Sequence, residues 1–214
     1  MNENVLKTGT TTVGIKCREG IVLAADTRAT AGTMIVDKKA EKVHKIMNNI
    51  ALTIAGSVSD VQLIIKILKA ELTLKDIKTY RPSTVKEAAN LLASMTYQNI
   101  RKMSMLPGIA HFILGGFDDN EKRHFHLYDI FPDGSLTEIQ DYISSGSGSV
   151  FAYGVLESDY TAKISVDEAV ELAKKSVNTA LKRDSASGNG IDVITITKDG
   201  IRRLPELRVN EEAI

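Results

Sequence analysis

The chain has 214 residues, a length that suits one domain, and its 27 lysines and arginines balance 27 aspartates and glutamates. No bulk charge therefore draws it to nucleic acid or anionic lipid, and its single cysteine, Cys17, excludes an internal disulfide and a multi-cysteine zinc site. No stretch approaches the roughly 20 apolar residues that span a bilayer, and residues 1–9 lack the core of a secretory signal, so we expect a cytoplasmic protein without a membrane partner.

The first quarter of the chain predicts four β-strands. Residues 11–16 and 20–25 lie on either side of a turn signal and predict a hairpin. Residues 42–47 alternate between apolar and polar side chains, and residues 50–56 form a further apolar strand. Between them, residues 29–41 predict a loop with one short extended piece. The chain is therefore expected to begin with a sheet.

Two helices are predicted next. Residues 58–74 carry apolar side chains at helical spacing, at positions 61, 64, 65, 68 and 72. The second helix opens with Thr84 and Glu87 at the spacing of a capping box and is expected to end before Pro107. We expect the two helices to form an antiparallel pair that lies on the sheet.

The second half of the chain predicts strands again and then helices. Its predicted elements are strands at 110–117, 123–130 and 136–144, helices at 150–156 and from the capping box of Ser165 and Glu168, a last strand at 191–197, and a loose tail from Glu206. This order is not the strand–helix alternation of a parallel sheet. Two packed antiparallel sheets with helices outside would bury the apolar faces, which predicts an α+β sandwich.

The familiar catalytic and ligand-binding motifs are not present in this sequence. Residues 146–149 are rich in glycine and serine, but Phe151 stands where a dinucleotide fingerprint needs a third glycine, and no P-loop lysine follows. His124 and His126 share one strand face without an evident third ligand, so we expect an ordinary exposed strand. Neither a Gly-x-Ser-x-Gly elbow nor a reactive-cysteine signature occurs. These patterns therefore favour neither a nucleotide-cofactor site nor a metal site.

The junction between Gly9 and Thr10 is the unusual feature of the sequence. Residues 10–12 are all threonine, which is ordinary strand material. A cut between Gly9 and Thr10 would give Thr10 both a hydroxyl nucleophile and a free α-amine that can act as its base. These residues alone favour a flexible terminus that leads into a strand, and Asp26 and Lys42, at predicted strand ends, are individually unremarkable.

Several short motifs together resemble the β subunits of proteasomes, of the archaeal type with a short leader. They occur in family order at residues 8–15, 24–28, 42, 55–56, 145–149, 153–157 and 183–188. The resemblance implies an N-terminal nucleophile hydrolase with a four-layer αββα sandwich. It also implies a homo-heptameric β ring stacked on a second β ring, between rings of α subunits through which a regulatory ATPase delivers unfolded polypeptide. Nucleic acid and membranes are not expected partners, and the resemblance implies neither a metal ion nor an organic cofactor.

The same resemblance implies roles for the residues that match its motifs. Self-cleavage at Gly9–Thr10 would remove residues 1–9 as a propeptide and leave 10–214 as the catalytic domain. The Thr10 hydroxyl would then attack the substrate, with its own amine as base, since an α-amine has a pKa of roughly 8. Lys42 would supply a positive charge beside Thr10, and Asp26 would pair with Lys42 and orient it.

Further site residues follow from the resemblance. The Gly56 N–H would stabilise the oxyanion, and three polar side chains would surround the amine, namely Ser147, Asp184 and Ser187. Small or apolar side chains would line the pocket for the residue before the cut, namely Ala29, Ala40, Ile54 and Val58. We expect a preference for bulky apolar residues there, with the substrate extended along Thr30 and Gly56.

Two other function classes stay open at this point. One is a non-catalytic structural ring subunit, which would be expected to lack the Gly-Thr junction or the lysine. The other is an N-terminal-threonine amidase that acts on small molecules and ignores long peptides.

Overall fold

Two antiparallel β-sheets form the centre of the protein. The computed structural model describes residues 9–104, 108–119 and 125–208. The strands in these ranges are β1 (Thr12–Cys17), β2 (Gly20–Asp26), β3 (Ala29–Ala31), β4 (Met34–Asp37), β5 (Val43–Lys45), β6 (Ile50–Gly56), β7 (Ala110–Phe117), β8 (Phe125–Ile130), β9 (Leu136–Ile139), β10 (Tyr142–Ser145), β11 (Gly190–Thr197), β12 (Gly200–Arg203) and β13 (Leu207–Arg208).

The sheet order places the start of the chain inside a sheet. One sheet has the order β10-β1-β2-β11-β12, with β13 beside β11; the other has the order β5-β6-β7-β8-β9, and β3 and β4 form a separate hairpin. Thr12 in β1 lies opposite Ala25 of β2 and Ser145 of β10. The residues before β1 therefore lie next to the end of β2 and to the loop that follows β10.

Four helices complete the described part of the chain. They are α1 (Val58–Thr79), α2 (Val85–Ile100), α3 (Ser149–Asp159) and α4 (Val166–Leu181). Both predicted capping boxes are present, at Thr84 with Glu87 and at Ser165 with Glu168. Each box satisfies two backbone N–H groups at a helix start, which explains why these two boundaries could be read from the sequence.

Three apolar layers hold the sheets and helices together. Side chains such as Leu23 and Ile113 fill the space between the two sheets. The helices α1 and α2 cover the five-stranded sheet, where Leu68 and Phe112 are fully buried, and α3 and α4 cover the six-stranded sheet. The layer order is helices, sheet, sheet, helices, so the predicted α+β sandwich of αββα type is confirmed.

The predicted single strand at 136–144 is wrong. The segment forms two strands in different sheets, because β9 pairs with β8 while β10 pairs with β1. The chain passes from one sheet to the other at Gln140 and Asp141, where the Asp141 carboxylate accepts a hydrogen bond from the Tyr142 N–H at 2.7 Å. The sequence pattern did not reveal this crossing, because both pieces have strand-like composition.

The sequence predicts too few strands in two segments of the chain. Within the expected loop at 29–41, β3 and β4 form a hairpin in place of one extended piece. After the strand that was expected to be the last, β12 and β13 both pair with β11, so the tail is not loose at residues 207–208. The predictions for residues 1–8 and for His124 lie outside the described residues.

The capping box of α2 gives a prediction about stability and pH. The Glu87 carboxylate accepts hydrogen bonds from Arg81, Lys75 and the Thr84 N–H, at 2.6, 2.8 and 2.9 Å. The Arg81 guanidinium, helped by Lys75, lowers the pKa of Glu87 well below its ordinary value of 4.5. Because the pKa is lower in the folded state, this contribution is present above pH 4.5 and is lost as the pH falls.

Replacement of Glu87 by Gln should therefore lower the free energy of unfolding at pH 7 by roughly 1 kcal/mol, since the group is partly exposed. The difference from the unmodified chain should shrink as the pH falls below 4.5. Urea unfolding at several pH values measures it, with Glu71→Gln on the exposed surface of α1 as control. An equal loss of stability at acidic and neutral pH would contradict this account.

Candidate active site

Asp26 lies at the end of β2 with its carboxylate fully buried. Its Oδ1 accepts hydrogen bonds from the Lys42 ammonium at 2.7 Å and the Thr11 N–H at 3.0 Å. Its Oδ2 accepts from the N–H groups of Arg28 at 3.1 Å and Gly188 at 2.9 Å. Four donors thus compensate one buried charge, as such a charge requires.

Lys42 directly precedes β5, and its buried ammonium connects Asp26 with the Gly9–Thr10 junction. Its Nζ lies 2.7 Å from Asp26 Oδ1 and 3.4 Å from the carbonyl oxygen of Gly9. Burial lowers the pKa of Lys42 below its ordinary value, and the neighbouring Asp26 carboxylate opposes this shift. The predicted ion pair is therefore present, and its positive end faces the carbonyl that would be attacked in self-cleavage.

The Gly9–Thr10 junction lies in a narrow space. The Thr10 hydroxyl donates to the carbonyl oxygen of Gly9 at 2.6 Å, and the Gly9 N–H donates to Thr30 Oγ1 at 3.2 Å. A Cβ on Gly9 would overlap the Cβ of Ala186. Glycine is therefore required here for steric reasons, and the hydroxyl of Thr10 lies against the peptide group that precedes it.

The three polar residues predicted around the amine form one connected group. The Thr10 N–H donates to Ser147 Oγ at 3.2 Å, and Ser147 donates to Asp184 Oδ2 at 2.6 Å. Ser187 donates to the same carboxylate oxygen at 2.6 Å. The loop after β10 and the exit of α4 therefore meet at the nitrogen of Thr10.

Gly56 ends β6 at the same site. Its φ of 115° belongs to the left-handed region, and a Cβ would overlap the carbonyl oxygen of Ile109. Gly56 borders the same cavity as Thr10. The structure thus explains why glycine occupies this strand end, while the expected donation from its N–H to an oxyanion stays a prediction.

A cavity of about 390 Å³ opens beside Thr10. All five residues predicted to contact the substrate border it, namely Ala29, Thr30, Ala40, Ile54 and Val58. The cavity also has lining residues that the sequence did not predict, namely Val36, Asp37, Glu41, His44, Ala55, Val61 and Gln62. Its wall therefore combines apolar side chains with polar and acidic ones.

Some of these missed residues had a sequence signal. His44 lies two positions after Lys42, and side chains with this spacing share one face of an extended segment. Val61 and Gln62 lie three and four positions after Val58, which puts them on the same side of α1. Burial lowers the pKa of the His44 imidazole, and the Glu41 carboxylate, 3.9 Å away, opposes the shift.

The remaining histidines with described side chains have structural partners. His111 contacts Asp129 through Nε2 at 2.6 Å and Ser145 through Nδ1 at 2.9 Å. His126 contacts Glu138 at 3.1 Å. Within residues 9–104, 108–119 and 125–208, no cluster of three or more His, Cys, Asp or Glu side chains is placed to hold a metal ion.

Known proteins are similar to this chain over most of its length. The family model described as proteasome subunit matches residues 6–196. The chain belongs to the proteasome subunit family. It is 43% identical over 199 residues to the proteasome subunit beta of Archaeoglobus fulgidus, which covers 93% of this chain and 90% of the relative.

Two further relatives are also proteasome β subunits. The protein of Ferroglobus placidus is 42% identical over 96% of this chain and 95% of its own length. The protein of Nanoarchaeum equitans is 42% identical over 91% of this chain and 96% of its own length. The similarity to proteasome β subunits that the motifs predicted is confirmed, and the family is one of hydrolases that degrade proteins.

No helix in the described part of this chain is long and apolar enough to cross a membrane.

The contact between Gly9 and Ala186 gives a prediction about processing of the proteasome subunit. If the chain cleaves itself at Gly9–Thr10, Gly9→Ala should slow release of residues 1–9 by about a hundredfold, because a displacement of about 1 Å at a reacting bond has an effect of this size. Intact mass measured over time gives the rate. Ala186→Gly, introduced with Gly9→Ala, should restore part of it, because it removes the atom that the new methyl group overlaps.

A matched control is Gly154→Ala in α3, where a new Cβ meets open space. Release of the leader at equal rates from the Gly9 and Gly154 variants would show that the steric account is wrong.

Proposed function

We propose that the chain is a catalytic proteasome β subunit, a threonine endopeptidase that cleaves its own Gly9–Thr10 bond and then degrades unfolded polypeptides. The observation that carries the proposal is the convergence of two groups on Thr10. The Lys42–Asp26 pair approaches from the side of the Gly9 carbonyl, at 3.4 Å. The Ser147–Asp184–Ser187 group approaches from the side of the Thr10 nitrogen, at 3.2 Å.

Self-cleavage begins with the hydroxyl of Thr10. Its oxygen attacks the carbonyl carbon of Gly9 and forms an ester, while the C–N bond breaks and the proton of the hydroxyl passes to the nitrogen of Thr10. The positive charge of Lys42, 3.4 Å from the Gly9 oxygen, stabilises the negative charge that develops there. Water then hydrolyses the ester, which releases residues 1–9 and leaves Thr10 with a free amine.

The freed amine allows repeated peptide cleavage. It takes the proton of the Thr10 hydroxyl, the alkoxide attacks the substrate carbonyl, and the proton passes to the leaving amine. The acyl group stays on Thr10 as an ester until water releases it. The backbone N–H of Gly56 is the proposed donor to the oxyanion, because Gly56 borders the cavity beside Thr10.

The cavity beside Thr10 supports a preference for apolar residues before the cut. Ala29, Ala40, Ile54 and Val58 border a space of about 390 Å³, which is large enough for a bulky side chain. The Gly9 N–H already donates to Thr30 Oγ1 at 3.2 Å, as an extended substrate backbone would. An extended peptide therefore fits this site better than a compact small molecule.

Assembly into rings would confine this activity. We infer a homo-heptameric β ring, stacked on a second β ring and bounded by α rings to which a regulatory ATPase in the cytoplasm delivers substrate. Exposed apolar side chains support the inference of contacts with other subunits. In the hairpin of β3 and β4, Met34 is 64% exposed and Val36 is 56% exposed. In this account residues 1–9 form a propeptide and residues 10–214 one catalytic domain.

The two other functions fit the site less well. A structural ring subunit does not need a glycine in van der Waals contact with Ala186, or a buried lysine directed at the Gly9 carbonyl. A small-molecule amidase does not need a polar backbone contact at Thr30 for an extended chain. The endopeptidase explains all three features.

Replacement of the nucleophile tests the proposal. In particles assembled with an α-type subunit, Thr10→Ala should abolish both release of residues 1–9 and hydrolysis of fluorogenic peptides, with kcat lower by at least about a thousandfold. Thr10→Ser is the matched control, because it keeps the hydroxyl and should keep both activities. Peptide hydrolysis by the Thr10→Ala particle at the unmodified rate would contradict the assigned function.

The size of the cavity tests the substrate preference. Ala40→Val adds two methyl groups to the wall beside Thr10, so kcat/KM should fall about tenfold for peptides with Phe or Leu before the cut. The value for peptides with Ala before the cut should change little. Ala31→Val in β3, which does not border the cavity, is the control. An equal effect on all peptides would refute the pocket assignment.

A further inference from the structure

We propose that Thr11 is a positioning residue, whose hydroxyl fixes the hydrogen-bond direction of the group around the Thr10 amine. This inference rests on the function proposed above and extends it to a residue with no assigned role. Thr11 is fully buried, and its Oγ1 lies 2.7 Å from Ser187 Oγ. A Cβ on Gly148 would overlap this hydroxyl oxygen, so the site leaves room for it only because residue 148 is glycine.

The number of hydroxyl protons determines which side chain donates in each of these hydrogen bonds. Ser187 has one hydroxyl proton, and Asp184 Oδ2, at 2.6 Å, is a carboxylate oxygen that only accepts. Ser187 therefore donates to Asp184, and the proton between Thr11 and Ser187 belongs to Thr11. In the buried part of the group, the Thr11 hydroxyl therefore donates a hydrogen bond to Ser187, and the Ser187 hydroxyl donates to Asp184.

At Ser147, the more exposed residue of the group, the hydrogen bonds also run toward Asp184. Ser147 also has a single hydroxyl proton, and its short contact is with Asp184 Oδ2 at 2.6 Å. Its oxygen is left to accept from the nitrogen of Thr10, at 3.2 Å. One carboxylate oxygen thus receives two serine hydroxyls, one held by Thr11 and the other by Thr10.

This directionality determines how the freed amine is oriented. When the leader has left, the nitrogen of Thr10 still has a hydrogen directed at Ser147, so its lone pair points away from Ser147 and stays free for the Thr10 hydroxyl proton. Without the Thr11 hydroxyl, Ser187 is free to rotate and to donate elsewhere, and the Asp184 carboxylate loses a fixed donor. The amine would then sample orientations in which it is not a competent base.

Thr11 also connects this group with the Lys42–Asp26 pair. Its backbone N–H donates to Asp26 Oδ1 at 3.0 Å, and its carbonyl oxygen accepts from the Asp26 N–H at 3.1 Å. The backbone of Thr11 therefore holds the Lys42–Asp26 pair, while its side chain holds the Ser147–Asp184–Ser187 group. A side-chain substitution separates the two roles, because it leaves the backbone contacts in place.

The test compares Thr11→Val, Thr11→Ser and Thr12→Val in assembled particles. Thr11→Val keeps the branched shape and removes the hydroxyl, so kcat for peptide hydrolysis should fall about tenfold with KM within about a factor of two. Thr11→Ser restores the hydroxyl and should recover kcat to within about threefold. Thr12→Val is the matched control, because that buried hydroxyl makes only a 3.5 Å contact with the Ser145 carbonyl.

A double mutant tests whether Thr11 acts through Ser187. The combination of Thr11→Val and Ser187→Ala should have the kcat of Ser187→Ala alone, because residues of one network are not additive. If Thr11→Val does not assemble, Thr11→Cys should still lower kcat relative to Thr11→Ser, because a thiol is a weaker donor than a hydroxyl. Multiplicative effects in the double mutant, failure of Thr11→Ser to restore kcat, or equal rates for Thr11→Val and Thr12→Val would overturn the inference.

These outcomes differ from failure of the proposed function. Particles that are inactive with the unmodified chain, or active with Thr10→Ala, would overturn both. Particles that need Thr10 but tolerate Thr11→Val would overturn only the role of Thr11.

Discussion

The buried carboxylate of Asp26 is the interaction on which the rest of the site depends. It is compensated by the ammonium of Lys42 and by backbone N–H groups of Thr11, Arg28 and Gly188. Loss of one partner of such a buried pair costs about 3–5 kcal/mol. Because these donors come from separate parts of the chain, the sandwich must fold correctly before the charge is satisfied, and the site then exists in one arrangement.

Two different groups of side chains lie on either side of Thr10. A charged pair faces the carbonyl of Gly9, where negative charge would develop in the proposed self-cleavage. A hydroxyl–carboxylate group faces the nitrogen of Thr10, which is an amide in the intact chain and would be the base after the proposed cleavage. A single arrangement can therefore serve two reactions, the cleavage of the chain's own leader and the later cleavage of substrates.

Elements with strong local signals could be predicted from the sequence. The capping boxes at Thr84 and Ser165 and the apolar strand at residues 50–56 are encoded by neighbouring residues, and all three occur as predicted. The crossing at Gln140 was missed, because the choice of sheet depends on contacts with distant strands. Gln62 of α1, by contrast, borders the cavity on the side that its spacing from Val58 indicates.

The central claim is that Thr10 becomes the free N-terminus of an active subunit. The most direct measurement is the N-terminal sequence and intact mass of this chain in particles assembled with an α-type subunit. The account predicts a chain that begins at Thr10, with residues 1–9 absent from every active particle. Active particles in which the chain still carries residues 1–9 would contradict it.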